Sequence, residues 1–277
     1  IVLTTIGPLI NVTGANYISP SNRGPSIVLT SSTDGWDDGT KLYQALTSSG
    51  FTYSGWLYFA PGSSTRKFFN MGRTSAGAFS GIAIEKTYTS SEHRILVTLA
   101  TANSGDSSRG EAEWHCSGAA AETWMHVAVT WTGSNGSLTS ADPKIYLNGT
   151  ERTVTEDTTP PYAYYPKNWR ASSTYKGFSN CLLDGDNMVM FGGNHSVKTW
   201  AFTGSMDELS IWKRPLNAAE VSEIYNGGVP CDVTASNTYA SSSADLWEWI
   251  RMGDGSKGSN AIDSSNPGTV GATNRIT

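Results

Sequence analysis

The sequence predicts an all-β chain carrying one short helix, on three observations. Trp124–Trp131 alternates without a break: Met125, Val127, Val129 and Trp131 share one parity, and His126, Ala128 and Thr130 share the other. Parity selects the face in a strand, so such a run reads as half-buried sheet. Lys144–Leu147 runs into Asn148-Gly149, the strongest short-range hairpin signal. Charged residues are only 16% of the chain, against ~25% in an average globular protein. The surface must lean on Ser, Thr, Asn and Gly, which suits an extracellular or virion β-protein better than a helical cytosolic enzyme.

Length allows one large β-sandwich or two small domains among the 277 residues. Residues 1–25 read as an N-terminal arm, with a first strand near Ser26–Thr30. Asp34-Gly-Trp-Asp37-Asp38-Gly39 reads as a solvated acidic turn, with a cation site as the alternative. Phe51–Phe59 is a strong strand, with Trp56 and Tyr58 on one face and Leu57 and Phe59 on the other. Shorter strands are expected at Phe68–Met71, Gly81–Glu85, Arg94–Leu99 and Glu113–Cys116. After Asn148-Gly149 the returning strand is placed at Arg152–Val154.

Asp157–Phe178 breaks the alternation with Pro160, Pro161 and Pro166 among Tyr162, Tyr164, Tyr165, Trp169, Tyr175 and Phe178. It is longer than ordinary hairpin loops, so a lobe or a cover is expected. A strand resumes at Asn187–Gly193. In Phe202–Trp212, Leu209 and Ile211 point inward by parity, and Asp207 falls at the buried edge of that same face. Then comes the helix. Asn217 is the N-cap, Glu220 completes a capping box, and Leu216 and Val221 occupy the staple positions. Val221, Ile224 and Tyr225 form its apolar face, and Asn226-Gly227-Gly228 ends it after about three turns. Leu246–Ile250 is a last strand.

Several of these segments together resemble the laminin G-like domains of the concanavalin A-like lectin/glucanase superfamily. Phe202–Gly228 is similar to their closing strand, loop and short helix. Phe51-Thr-Tyr-Ser-Gly-Trp-Leu57, Trp124–Trp131 and Ile145-Tyr-Leu-Asn-Gly149 resemble three earlier strands. The resemblance implies a two-sheet antiparallel jelly roll over residues 26–228 and does not fix one function. Residues 246–270 resemble the opening of such a domain. Either a second copy starts there, or residues 229–277 return a closing strand to the same sandwich, which is the reading adopted. The Leu246-Trp-Glu-Trp-Ile250 tail with Arg-Met-Gly-Asp-Gly255 is similar to tail and virion surface proteins of marine phages.

Chemistry is sparse. Sugar-cleaving relatives of laminarinase type carry Glu-x-Asp-x-x-Glu on one strand, setting two carboxylates about 5 Å apart for a retaining mechanism. That triplet is absent here; Glu111 and Glu113, read as solvated at a strand start, are the nearest pair. There is no Gly-x-Ser-x-Gly, no His-Glu-x-x-His and no phosphate-binding loop. No catalytic residue is assigned, and His126 is expected to be packed or hydrogen-bonded. Net charge is −5 with no basic run, which argues against nucleic acid. No apolar run reaches the ~20 residues of a membrane span, and no signal peptide is visible. Cys116, Cys181 and Cys231 leave open one disulfide with a free thiol, or three thiols.

Two kinds of binding site are expected. Asp207 has the position of the superfamily's calcium-contacting aspartate, so the resemblance implies a structural Ca²⁺ there. Asp184 and Asp186 form a second acidic group that reads as a turn or a metal site. Tyr162, Tyr164, Tyr165, Trp169 and Tyr175 offer faces for sugar rings, with Arg170 beside them; the alternative is packing or a subunit contact. The expected function is a non-enzymatic recognition or structural module on a virion or cell surface. Its partner is a glycan or another surface protein, with homo-oligomerisation open. A diverged glycoside hydrolase is the remaining alternative.

Overall fold

A computed structural model describes residues 10–11, 27–30, 50–62, 65–75, 78–89, 92–101, 110–132, 143–156, 188–192, 202–233 and 245–250. They form two antiparallel sheets packed face to face, the jelly-roll sandwich expected. In chain order the strands are β1 (Ile10–Asn11), β2 (Ile27–Thr30), β3 (Phe51–Phe59), β4 (Arg66–Ser75), β5 (Ala78–Thr89), β6 (Glu92–Thr101) and β7 (Gly110–Ala119). There follow β8 (Trp124–Trp131), β9 (Lys144–Leu147), β10 (Thr150–Arg152), β11 (Thr155–Glu156), β12 (Met188–Phe191) and β13 (Gly204–Trp212). Helix α1 (Ala218–Tyr225) and β14 (Leu246–Ile250) complete the described fold. Sheet A has the order β1-β13-β3-β8-β9-β10, with β14 also on β13; sheet B has the order β11-β7-β6-β5-β4-β12-β2.

The inner faces follow parity. Leu57, Val127, Val129, Leu147, Leu209 and Ile211 are each at most 5% exposed. They meet Phe68, Phe69, Ile84, Val97 and Trp114 from sheet B in one cluster. Tyr53 joins this cluster, its ring 4.8 Å from Phe69 and 5.7 Å from Phe68. Burial drives the Tyr53 phenol far above its ordinary range.

The β9–β10 hairpin differs from expectation by two residues. Asn148 and Gly149 have φ of 50° and 73°, so the loop is a two-residue turn of the I′ kind and pairing resumes at once, Thr150 opposite Leu147. The chain then crosses to sheet B, where Thr155 pairs with His115. Arg152–Val154 is therefore not one strand. Gly149 is needed twice over: its φ is left-handed, and a Cβ would lie 2.7 Å from the Tyr225 ring.

Helix α1 has the predicted cap. Asn217 Oδ1 accepts from the Ala219 and Glu220 amides at 2.9 and 3.1 Å, and Glu220 Oε2 accepts from Asn217 N at 2.8 Å. Glu220 also receives Arg214 Nη1 at 3.0 Å. That hydrogen-bonded guanidinium holds its carboxyl below the usual carboxylate range. The helix is eight residues long, shorter than expected, because Asn226 already turns left-handed with φ 48°. Val221 and Ile224 pack with Leu216, Trp212, Tyr146 and Trp249 in a second apolar cluster. That cluster covers the outer face of sheet A. β14 contributes to it, pairing antiparallel with β13 from Leu209↔Ile250 to Trp212↔Leu246. Strand β1 takes the same edge of β13 further along, Ile10 opposite Met206.

Candidate functional site

Asp207 is where the structure corrects the sequence most. Its register partner on β3 is Trp56, whereas Ser210 is opposite Ser54. Two residues, Glu208 and Leu209, thus face the single residue Gly55. Glu208 has φ 50°, so this is a β-bulge whose first residue is left-handed. Gly55 makes room for it, since a Cβ there would lie 2.7 Å from Leu209 Cδ2. The extra residue reverses parity. Met206, Leu209 and Ile211 point into the sandwich, while Asp207 lies with Trp56 on the outer face. Its carboxylate, 8% exposed, accepts from Glu208 N at 2.9 Å. The Glu208 carboxylate accepts from Trp249 Nε1 at 2.6 Å, tying the bulge to β14.

Across sheet A the row continues from Trp56 to His126. The Trp56 ring stacks on Tyr225 of α1 at 5.7 Å and stands 5.4 Å from the His126 ring. His126 Nε2 and Ser54 Oγ are 2.8 Å apart. Burial pushes the imidazole down to about 3, so it stays neutral at ordinary pH. A serine beside a histidine can be a nucleophile and its base. Here both are 1% exposed, with the His126 ring packed against Trp56 and Tyr225. His126 is a packed residue, as expected.

The outer face of sheet B is polar instead. Asn70, Ala83, Thr98 and Glu113 stand in one row across β4, β5, β6 and β7. Thr98 Oγ1 lies 3.5 Å from Glu113 Oε1. In the adjoining row Lys67 Nζ pairs with Glu85 Oε2 at 3.3 Å. Asn70, Ala83, Glu85 and Thr98 are all buried, so this is a shielded polar surface. Glu113 is half-buried here, not a solvated residue at a strand start.

A third feature lies at one end of the sandwich. A cavity of about 80 Å³ opens beside the Ala60–Gly62 turn and is lined by Arg66, Lys86 and Thr203. Ala60 N donates to Thr203 O at 3.0 Å, which fixes the turn. Lys86 shares parity with Ile82 and Ile84, placing it on the inner face of sheet B with its Nζ 2.8 Å from Gly62 O. Burial, and the Arg66 guanidinium opposite, hold its ammonium below the ordinary range. This site is not among those expected from the sequence. Its signal was a lysine in register with two core isoleucines.

The other expected site residues, Tyr162, Tyr164, Tyr165, Trp169, Arg170, Tyr175, Asp184 and Asp186, lie outside the described residues. So does Cys181. Cys116 is a buried thiol, pushed up to about 11 by desolvation, and Cys231 Sγ donates to Ile224 O at 3.4 Å. Among the described residues no three His, Cys, Asp or Glu side chains gather closely enough to hold a metal. No described helix is long and apolar enough to cross a membrane.

This fold of two packed sheets with a helix-capped outer face defines a lectin-like jelly roll. Residues 33–222 match the family described as the concanavalin A-like lectin/glucanases superfamily, and the chain belongs to it. No curated protein matches the chain. Solved structures similar to it include the CBM40 module of the Ruminococcus gnavus IT-sialidase bound to sialyllactose. Identity there is 15% over 74% of this chain and 94% of that one, with TM-score 0.49. A heptameric SAP-like pentraxin from Limulus polyphemus is 14% identical over 64% of this chain and 69% of its own, TM-score 0.42. The binding domain of botulinum neurotoxin DC in complex with rat synaptotagmin II is 14% identical over 75% and 41%, TM-score 0.44.

Proposed function

We propose that the chain is a non-enzymatic carbohydrate-recognition module acting on a virion or cell surface. The observation that carries this reading is the match of residues 33–222 to a superfamily that includes lectins, joined to the aromatic-rich stretch between Tyr162 and Tyr175. The outer face of sheet A, with buried Ser54, His126 and Asp207 beside its apolar residues, is closed off by α1 and β14. On the outer face of sheet B, Asn70, Ala83 and Thr98 are buried, and of their row Glu113 is the residue partly open to solvent. Membership of a lectin-containing superfamily supports the same class of ligand, and the low charge content supports the location.

The aromatic lobe at 157–178 is proposed as the main contact surface, with Tyr164, Tyr165 and Trp169 at its centre beside Tyr162, Arg170 and Tyr175. Tyr and Trp stack on sugar rings and dominate binding hot spots. A variant with all three central residues changed to alanine is expected to keep its fold and lose glycan retention. Unfolding, or unchanged retention, would assign the lobe to core covering. Wild-type protein is expected to release no reducing sugar from laminarin, lichenan, agar or carrageenan. Release that vanishes in Glu113→Gln would replace this reading with the hydrolase one.

A structural calcium at Asp207 belongs to the same proposal. Calcium takes oxygen ligands, carbonyls included. The described residues supply one acidic side chain there and no cluster, so backbone carbonyls would have to complete the shell. Asp184 and Asp186 are the second proposed metal-contacting pair. Chelator should lower Tm; an unchanged melting curve with no metal by mass analysis would remove both sites. Capsid or virion assembly without sugar affinity is the competing role, and it predicts self-association in place of glycan retention.

A further inference from the structure

The Asn148-Gly149 turn does more than reverse the chain. Thr150 follows it, so the turn reads Asn-Gly-Thr. Asn-x-Ser/Thr, with x other than proline, is the acceptor pattern for N-linked sugar on surface loops of secreted proteins. By itself a three-residue pattern is weak. It also occurs at Asn11-Val-Thr13, Asn135-Gly-Ser137 and Asn194-His-Ser196. Asn11 lies within β1, opposite Ser205, while Asn135 and Asn194 lie outside the described residues. Of these asparagines, Asn148 is the one whose side chain the structure describes.

The two ends of its amide have different tasks. Asn148 N donates to His126 O at 2.9 Å, and Asn148 Oδ1 accepts from His126 N at 3.0 Å. The side-chain carbonyl thus extends the β8–β9 ladder one place beyond Val127↔Leu147. An N–H must face an acceptor, so the bond from His126 also fixes which amide atom is oxygen. Nδ2 is left on the other side, and among the described residues it donates to nothing. Asn148 and Thr150 are both exposed. Gly149 between them is the residue that abuts the Tyr225 ring of α1.

We propose that Asn148 is an N-glycosylation acceptor. Nδ2 forms a bond to the anomeric carbon of an oligosaccharide carried on a polyprenyl pyrophosphate. The bond from that carbon to the pyrophosphate oxygen breaks, the oxygen keeps the electron pair, and Nδ2 gives up one proton. Nothing is oxidised or reduced. The product is a secondary amide that keeps its carbonyl oxygen, so the bond from His126 N survives. The fold uses the half of the side chain that the modification leaves alone. A bulky, solubilising sugar here stands beside α1 and the β10 edge, where it hinders strand addition. The inference draws on the cell-surface side of the location proposed above, and sugar recognition by the 157–178 stretch has no part in it.

The test secretes the full chain from a eukaryotic cell line and maps its peptides by mass spectrometry before and after peptide N-glycosidase. That enzyme turns a glycosylated asparagine into aspartate; run in heavy-oxygen water, it marks the aspartate so that any formed earlier is not counted. Asn148 should carry sugar in most molecules and become marked aspartate after the enzyme. Thr150→Ala removes the hydroxyl of the pattern and keeps Asn148 with its two bonds to His126. It should reduce occupancy at Asn148 to background, and Thr150→Ser should restore it. Asn148→Gln is the poorer probe, since it also moves the carbonyl that His126 N needs. If Thr150→Ala is not secreted, the wild-type map carries the test alone. A folded, secreted wild type with Asn148 unmodified, or occupancy unchanged in Thr150→Ala, overturns the proposal and leaves the recognition reading untouched.

Discussion

A neutral histidine buried beside a serine carries a pH dependence with a definite sign. His126 is held down to about 3 in the fold, while in the unfolded chain it titrates near 6.5. Below that value the unfolded chain binds a proton that the folded one refuses, so acid favours unfolding. Stability from this group is complete above pH 6.5 and falls towards pH 3 by about 1.4 kcal/mol per unit. His93, whose imidazole burial and nearby Lys86 also lower, acts in the same direction. Urea unfolding of wild type and His126→Gln between pH 4.5 and 7 should give a steeper slope for wild type. Parallel slopes would mean that the ring is solvated. At the same scale, Leu209→Ala should cost ~2–5 kcal/mol, because Leu209 fills the space above Gly55 between the sheets.

The strands whose patterns were unbroken were legible in the sequence to the residue: Phe51–Phe59, Trp124–Trp131, Lys144–Leu147 and Leu246–Ile250 have the limits found. In Phe51–Phe59, Trp124–Trp131 and Lys144–Leu147 alternation works because one face is core along the whole length, whereas Leu246–Ile250 shifts register on β13 and buries both Leu246 and Trp249. Alternation failed at Asp207. Parity was counted backwards from Leu209 through Glu208, and a bulge inserts one residue there. Nothing in Met-Asp-Glu-Leu announces a left-handed glutamate; the reason for it, Gly55, sits on another strand 153 positions earlier, by subtraction of the two numbers. Strand β1 was equally hidden, since two residues cannot display a period. The helix was readable from its cap, and Asn217→Ala should cost ~1 kcal/mol in urea unfolding. Gly149→Ala should cost more than an ordinary surface change, ~1–3 kcal/mol, through its left-handed φ and the Tyr225 ring. Little effect at Gly149 would show that the hairpin and helix do not pack as described.

At the scale of the molecule, both edges of sheet A are managed. β13 is covered by β1 along one half and β14 along the other. β10 ends the far edge with exposed Glu151 and Arg152 and a Lys144–Glu151 ion pair at 3.1 Å, and charges on an edge discourage strand addition. The recognition role proposed above therefore falls to the loops, the 157–178 stretch first. The most direct measurement is therefore a glycan array probed with the monomeric fraction, isolated by gel filtration with light scattering. The account predicts retention of a restricted set of glycans by that monomer, weakened without loss of fold when Tyr164, Tyr165 and Trp169 are together changed to alanine. A folded monomer that retains no glycan on the array, or retention unchanged in that triple variant, would contradict it.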